Sequence, residues 1–447
     1  MSFIVGLIAA AALMALFALA AFSWWRVLCI HLLASAVFFI LLPTITFLSE
    51  ESRPGALAGA DLADALAAHW YLYVLYLAGL GITAAVANDA RAFGRIQHAL
   101  RIQRPQLAWV VTFYVVLLTS VGIMLTFDIA LSGSVTTEKL LGMPYAAVIV
   151  LSIAKMLLFG LFCYMCIVSR VDRLALIGCA AFLGWMIVSE GRRVLLLSLL
   201  VFYMLRSAQV SLRFNLRYVL VGLALISLFT LITPYFKLIR VQSQNLEARG
   251  YSQVEALVTA TSEVLTLDDD GKSATDIAVA NIARRGNAGL FLLDTASGMP
   301  SPYLGELIWT SVLWIVPSSL AEKPAYEAEQ LIQLAIGAEF IDDANSVPTV
   351  FLGDFGALGM LIAGLYTGFM LYALVYLIQP GRQFGLFEIA ALGAFFQLSV
   401  LVENELSGTF VMARNLAIIW VVTAIAGAVR PRARLRYAPV RPIRESA

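Results

Sequence analysis

The run Ser189-Glu190-Gly191-Arg192-Arg193 places several charges together in a chain that is otherwise strongly apolar. Guanidinium groups stay charged and chelate phosphate oxygens, so Arg192 and Arg193 are candidate ligands of a diphosphate. The run joins two apolar stretches that are short for full membrane crossings. It is therefore expected to lie below the membrane surface and to face a water-filled cavity. In the alternative interpretation, Glu190 pairs with an arginine at an ordinary hairpin turn.

Three more arginines are candidates for the same chemistry. Arg284 and Arg285 are adjacent on a predicted helix, so they cannot both face one way. We expect one to reach the cavity while the other faces solvent, although an ordinary solvated face would explain both. Arg414 lies inside the last apolar stretch. It could hold a ligand phosphate, or pair with Glu403 or Glu405.

A carboxylate and an aromatic side chain complete the set of candidates. Asp354 precedes a glycine-rich apolar stretch, where a carboxylate either acts as a base or caps a helix N-terminus. Tyr303 stands beside a short apolar segment. Aromatic residues at such places are usually membrane anchors, and stacking on a sugar ring is the alternative.

The composition assigns the chain to the membrane proteins. Hydrophobic residues make up 61% of the 447 residues and charged residues 13%, whereas a soluble globular domain carries about 25% charged residues. A water-soluble monomer and a disordered protein are therefore excluded. Apolar stretches recur along the whole chain, so the predicted fold class is an all-α polytopic membrane protein. The formal net charge of +1 gives no indication of nucleic-acid binding.

A crossing of the hydrocarbon core needs about 20 apolar residues, and this window predicts about eleven transmembrane helices. The predicted spans are 3–22, 27–48, 70–87, 108–127, 143–168, 174–189, 194–205, 218–233, 350–378, 386–402 and 410–429. The apolar start lacks a basic region, so we expect an uncleaved first span rather than a signal peptide.

Four regions follow from these spans. They are N-terminal transmembrane helices over 1–233, a periplasmic loop over 234–349, C-terminal transmembrane helices over 350–429, and a basic cytoplasmic tail over 430–447. The tail holds six arginines against one glutamate, while the loop is strongly acidic. Because basic loops stay on the cytoplasmic side, the C-terminus is predicted to be cytoplasmic and the large loop external.

The loop 234–349 is predicted to be helical. An amphipathic stripe over 254–265 predicts one helix, and Pro324 sits where another would begin. The stretch 306–320 is too short to cross the membrane, and it is predicted to be a re-entrant or interfacial helix.

No metal site and no cofactor are predicted. His31, His69 and His98 lie in different segments, which argues against a histidine-built metal site. The four cysteines sit in apolar runs and define no disulfide framework. Any activity is therefore expected to be insensitive to chelators.

Three runs between residues 303 and 368 form a more specific pattern. They are Tyr303-Leu304-Gly305 before an apolar helix, the run from Ile315 through Pro317 to Lys323-Pro324, and Gly353-Asp354-Phe355-Gly356 opening a glycine-rich span. They resemble the Wzy-type polymerases of bacterial surface polysaccharides, which join the repeat units of O-antigens and exopolysaccharides. The arginine turn over 189–193 is similar to a turn of this family and of the related O-antigen ligases.

The resemblance implies glycosyl transfer at the periplasmic face of the bacterial inner membrane. The growing glycan on undecaprenyl diphosphate would move onto a fresh lipid-linked repeat unit, and undecaprenyl diphosphate would leave. The implied partners are these two lipid-linked oligosaccharides, membrane lipid and a chain-length regulator protein, with no nucleic acid. The implied diphosphate ligands are Arg192, Arg193, Arg285 and Arg414. The candidate catalytic bases are Glu190 and then Asp354, and the candidate substrate contacts are Arg284, Tyr303 and Lys323.

Two other functions fit parts of the sequence. An O-antigen ligase would share the donor, the architecture and the arginines, but the Lys323-Pro324 pair and the Phe355-Gly356 turn favour a polymerase. A transporter or flippase of lipid-linked sugars is expected to show inverted repeats and broken helices at the midplane. The sequence has no internal repeat, and its charged residues cluster on one side.

Overall fold

The fold is known from a computed structural model. It describes residues 27–41, 43–44, 62–89, 91–92, 94–95, 107–126, 144–168, 177–178, 181–182, 239, 242–243, 245–246, 249–266, 291–316, 320–337, 346–378, 385–400, 402 and 405–429. Every regular element within these ranges is helical, which confirms the predicted all-α class.

We label the helices in chain order. They are α1 (Cys29–Ala36), α2 (Leu62–Ala87), α3 (Leu107–Thr126), α4 (Tyr145–Val168), α5 (Gln253–Thr266), α6 (Glu306–Ile315), α7 (Ala328–Ala335), α8 (Val347–Phe355), α9 (Ala357–Leu377), α10 (Leu386–Val400) and α11 (Leu406–Val429). A π-helical segment, Val37–Leu41, continues α1. Residues 291–298 are also helical.

Five helices are long and apolar enough to cross a membrane, so the chain is membrane-embedded. Their apolar parts are Ala65–Ala87, Leu107–Met124, Ala146–Met165, Ala357–Leu377 and Leu406–Ala426, and each matches a predicted span. Shorter apolar helices lie within the predicted spans 27–48 and 386–402. The predicted spans 3–22, 194–205 and 218–233, and all but a few residues of 174–189, lie outside the described residues. The count of eleven stays a prediction.

Paired glycines set the two closest helix crossings. A Cβ atom added to Gly79 of α2 would collide with the Leu361 carbonyl of α9, and one added to Gly364 would collide with the Tyr76 carbonyl. Gly160 of α4 and Gly393 of α10 meet in the same way. Small residues let helix backbones approach closely, which is how helices associate where lipid removes the hydrophobic drive between them.

Polar side chains of α2 form a ladder with the segment that precedes it in the chain. Its three rungs are His69 with the Phe39 carbonyl (2.6 Å), Tyr73 with Ser35 (3.0 Å) and Tyr76 with His31 (2.6 Å). From rung to rung the residue number rises along α2 and falls along the earlier segment, so the two segments run antiparallel. Two of the three histidines therefore have structural partners, which satisfies polar groups that are costly to bury.

The predicted span 350–378 is not one continuous helix. It is divided at Gly356, whose φ of 58° lies in the region that favours glycine. Helix α8 is buried along nearly its whole length, and Gly359 of α9 backs onto the Phe351 carbonyl of α8. Because of this break, α8 does not continue into the membrane-crossing helix α9. Its C-terminal end packs instead against the turn at Tyr303 and Leu304, just before α6.

Two of the predicted loop helices are present. Helix α5 coincides with the amphipathic stripe over 254–265. Helix α7 begins at Ala328 rather than at Pro324, because the Glu327 amide donates to Gln330 Oε1 (3.0 Å) in the manner of a capping box. Helix α6 has 10 residues and is about 15 Å long, half of the roughly 30 Å needed to cross the hydrocarbon core.

Candidate functional site

Four of the predicted site residues fall within the described part of the chain, and the structure brings them all to α6. They are Tyr303, Lys323, Asp354 and Arg414. The other five, Glu190, Arg192, Arg193, Arg284 and Arg285, lie outside the described residues.

Asp354 caps the N-terminus of α6 from a different helix. One carboxylate oxygen accepts a hydrogen bond from the Leu307 amide (3.1 Å) and the other from the Ile308 amide (3.0 Å). Asp354 is fully buried, and it lies near the C-terminal end of α8 rather than at the start of its own span. A negative charge at a helix N-terminus is stabilised by unpaired amide groups and by the helix dipole.

Lys323 holds the opposite end of the same helix. Its ammonium group donates to the carbonyl oxygens of Leu313 (3.1 Å), Trp314 (2.6 Å) and Val316 (2.5 Å). The Leu313 carbonyl also accepts a hydrogen bond from the Val316 amide (3.3 Å). Because the carbonyls at the end of a helix lack the usual intrahelical donors, a cation there satisfies them and complements the helix dipole. The lysine and aspartate motifs thus fix the two ends of α6 with opposite charges.

The Tyr303 run forms the turn that leads into α6. The Tyr303 amide donates to the Gly353 carbonyl (3.1 Å), and the Leu304 amide donates to the Asp354 carbonyl (3.0 Å). Leu304 and Gly305 both have positive φ values, of 52° and 101°. The partly buried Tyr303 ring packs against the hydrophobic core. These contacts tie the turn to the end of α8.

Arg414 of α11 reaches the C-terminal end of α6. It donates to the Ile315 carbonyl (3.3 Å) and to Asn415 Oδ1, while the Asn415 amide group donates to Ser152 of α4 (2.7 Å). Burial lowers the pKa of Lys323, and the nearby positive charge of Arg414 lowers it further. Two fixed cations therefore converge where α6 ends.

A cavity of about 150 Å³ opens beside these cations, between α6, the start of α7 and α11. Its walls mix aromatic, hydroxyl and carboxylate groups. The lining residues are Ser311, Trp314, Ile315, Glu327, Ala328, Glu329, Ser407 and Val411. One carboxylate oxygen of each of Glu327, Glu329 and Glu405 lies within 4.8 Å of the other two.

The three carboxylates repel one another. Two unit charges at about 4 Å cost roughly 4 kcal/mol at an effective dielectric constant of about 20. Glu329 is only 4% exposed, and burial raises its pKa well above the ordinary value, helped by the charges of Glu405 and Glu327. Burial and Glu405 also raise the pKa of Glu327. Such a cluster needs protons or a cation to offset its charge.

Comparison with protein-family models, with curated proteins and with solved structures gave no match.

No sequence pattern singles out Glu327 or Glu329, and Glu405 is predicted from the sequence only as a partner of Arg414. No local signal marks this group as one site. Glu405 stands far along the chain from the other two, and the packing of α6 between α7 and α11 brings them together. Glu327 and Glu329 stand close together at the start of α7. Because acidic residues at a helix start are common caps, this pair does not by itself indicate a binding site.

Proposed function

We propose that this chain is a membrane glycosyltransferase that polymerises lipid-linked oligosaccharide repeat units at the periplasmic face of the bacterial inner membrane. The observation that carries the proposal is the convergence of Tyr303, Lys323 and Asp354 on the single helix α6. These residues come from the three separate runs that resemble the polymerase family. Runs that build one site are expected to meet in space, and these meet on α6, whose C-terminal end lies beside a cavity and the cations Lys323 and Arg414.

The proposed reaction needs a fixed positive charge more than it needs an acid. A hydroxyl group of the acceptor attacks the anomeric carbon of the donor glycan, and the bond from that carbon to the diphosphate oxygen breaks. Undecaprenyl diphosphate leaves with the electron pair, and positive groups held in place stabilise the departing oxygens. Arg414 is the described candidate for this role. Arg192, Arg193 and Arg285 are the further ligands that the sequence predicts.

The proton of the attacking hydroxyl passes to a carboxylate, for which the sequence predicts Glu190 or Asp354. Both oxygens of Asp354 already accept hydrogen bonds from α6 amides. We therefore assign the base to Glu190 and a positioning role to Asp354. Tyr303 and Arg284 stay proposed substrate contacts, while the three carbonyl contacts of Lys323 make its role toward the substrate indirect.

The test is to delete the gene in its host, restore it with variants and analyse the lipid-linked and surface glycans on a gel. Deletion should collapse the glycan ladder to single-repeat material. Arg414→Gln should lower polymerisation by about 10²–10³ at an equal protein level, the usual effect of removing one charge-stabilising group. Arg414→Lys should restore part of it, because lysine keeps the charge but not the planar fork. The exposed Arg249 provides the control variant, Arg249→Gln.

Other outcomes of this experiment would replace the proposal. A complete ladder left on undecaprenyl diphosphate, with none on the final acceptor, would identify a ligase. Repeat units that accumulate on the cytoplasmic side would identify a flippase. A full surface ladder with Arg414→Gln at normal protein level would remove Arg414 from the diphosphate site.

A further inference from the structure

Two carboxylates that the proposed glycosyl transfer does not use, Glu327 and Glu329, line the cavity beside α6, and the Glu405 carboxylate lies close to both. We propose that Glu327, Glu329 and Glu405 together bind one divalent cation of the class that prefers oxygen ligands, such as Mg²⁺, Mn²⁺ or Ca²⁺. This inference goes beyond the proposed function, which holds the diphosphate with arginines, and it does not depend on that function.

The spacing of the carboxylate oxygens suits a single ion. Cations of this class hold oxygen ligands at about 2.0–2.6 Å, so two ligands of one ion are at most about 5.2 Å apart. The three oxygens lie within 4.8 Å of one another. Ser407 donates a hydrogen bond to Glu405 Oε2 (3.0 Å), and such outer contacts orient the ligands of metal sites.

The burial of Glu329 is a second observation that points to a ligand. Its side chain is 4% exposed, and it lines the cavity. Within the described residues, its carboxylate receives a hydrogen bond from its own backbone amide and from no other donor. A buried carboxylate is normally paired with a cation or bound to a metal. The charges that act on Glu329 are those of Glu405 and Glu327, and both are negative.

An ion at this position would join two elements that are distant in sequence. Glu327 and Glu329 belong to the start of α7, and Glu405 directly precedes α11. Both elements contact α6, which they flank at the cavity. The bound ion would therefore brace α7 against α11 and keep the C-terminal end of α6 in place.

The first experiment measures Mn²⁺ binding by electron paramagnetic resonance, with the full-length protein in lipid nanodiscs. The wild type should bind one Mn²⁺ saturably, in competition with Mg²⁺ or Ca²⁺. Glu329→Gln and Glu405→Gln should each weaken that binding about tenfold or more, since each removes a charged ligand. Two acidic residues outside the cluster provide controls that should bind normally, Glu322→Gln in the exposed loop and Asp269→Asn in the acidic run.

A second readout locates the ion in the cavity and does not need a glutamate variant that folds. Trp314 lines the cavity, whereas Trp309 of the same helix is 61% exposed. Tb³⁺ bound at the site should luminesce when tryptophan is excited. Trp314→Phe should remove most of that emission while leaving Mn²⁺ binding unchanged, and Trp309→Phe should retain the emission.

The proposal is overturned if the wild-type protein shows no saturable Mn²⁺ binding. It is equally overturned if Glu329→Gln and Glu405→Gln fold and bind Mn²⁺ as the wild type does, or if the luminescence does not depend on Trp314. Loss of polymerisation in Arg414→Gln with Mn²⁺ binding intact would support the proposed function separately from the ion site. Normal Mn²⁺ binding in a protein without polymerase activity would support the ion site and contradict the proposed function.

Discussion

Lys323 and Asp354 show how single side chains decide the position of a whole helix. Each comes from outside α6, and each satisfies backbone groups that a helix end leaves without partners. The charges match the helix dipole at both ends, positive at the carbonyl end and negative at the amide end. A short helix in a low-dielectric setting depends on such contacts, because it has few internal hydrogen bonds of its own.

The capping role of Asp354 can be separated from a catalytic one with two substitutions. Asp354→Ala removes both acceptor oxygens and leaves the Leu307 and Ile308 amides unpaired, which should cost about 1–3 kcal/mol of stability. Asp354→Asn keeps one acceptor oxygen and should cost less. We expect Asp354→Asn to retain polymerisation and Asp354→Ala to lower the protein level or the melting temperature in detergent. Loss of polymerisation in Asp354→Asn at normal protein level would instead make Asp354 the base.

At the scale of elements, the helices are held together in two ways. The α2–α9 and α4–α10 pairs pack backbone against backbone at paired glycines, where neither helix can retreat from an added side chain. The segment before α2 is attached by the polar ladder to His69, Tyr73 and Tyr76. Close packing and hydrogen bonds between helices both act where lipid surrounds the protein.

The glycine crossings make a direct prediction about stability. A Cβ atom at Gly160 would meet the Ile389 carbonyl, which belongs to the α10 backbone and cannot move aside as a flexible side chain can. Gly160→Ala should therefore destabilise the protein by about 1–3 kcal/mol, as overpacking usually does. Gly122→Ala is the matched control, because nothing lies within 4 Å of a Cβ atom there. Thermal melting in the same detergent compares the two, and equal melting temperatures would contradict the packing at α4–α10.

Over the whole molecule, two polar groups lie near opposite ends of α9. At one end, the buried Asp89 accepts hydrogen bonds from the Tyr372 hydroxyl (2.6 Å) and the Val27 amide (3.1 Å). At the other end, Asp354 caps α6. Helix α9 has 21 residues and is therefore about 31 Å long, close to the thickness of a hydrocarbon core. This separation is what two opposite membrane surfaces require.

The arginine distribution predicts which surface is which. Arg91 and Arg95 follow Asp89, so that end of α9 should face the cytoplasm, together with the basic tail over 430–447. A green fluorescent protein fused after the tail should be fluorescent, and alkaline phosphatase fused near residue 300 should be active. The reverse pattern would invert the topology and place α6 and its cavity on the cytoplasmic side, which the proposed function does not allow.

Much of the architecture can be predicted because hydropathy is a local property. Five predicted spans correspond to long apolar helices, and the amphipathic stripe of α5 and the shortness of α6 follow from residues close together in the chain. Hydropathy does not show the break at Gly356, since an apolar run with glycines is compatible with one continuous span, and only the family resemblance suggests a turn at Phe355-Gly356. Its φ of 58° results from packing of α8 and α9 that no local pattern specifies.

The sequence by itself determined that this is a helical membrane protein, and it predicted Tyr303, Lys323, Asp354 and Arg414 as site residues. The tertiary structure decided what the described candidates touch. Asp354 caps a helix some 50 residues earlier in the chain, and the Glu405 carboxylate lies close to those of Glu327 and Glu329. Hydropathy is summed over neighbouring residues, so it is readable from the sequence. A hydrogen bond or an ion pair acts over a few ångströms, so it depends on which distant segments the fold brings together.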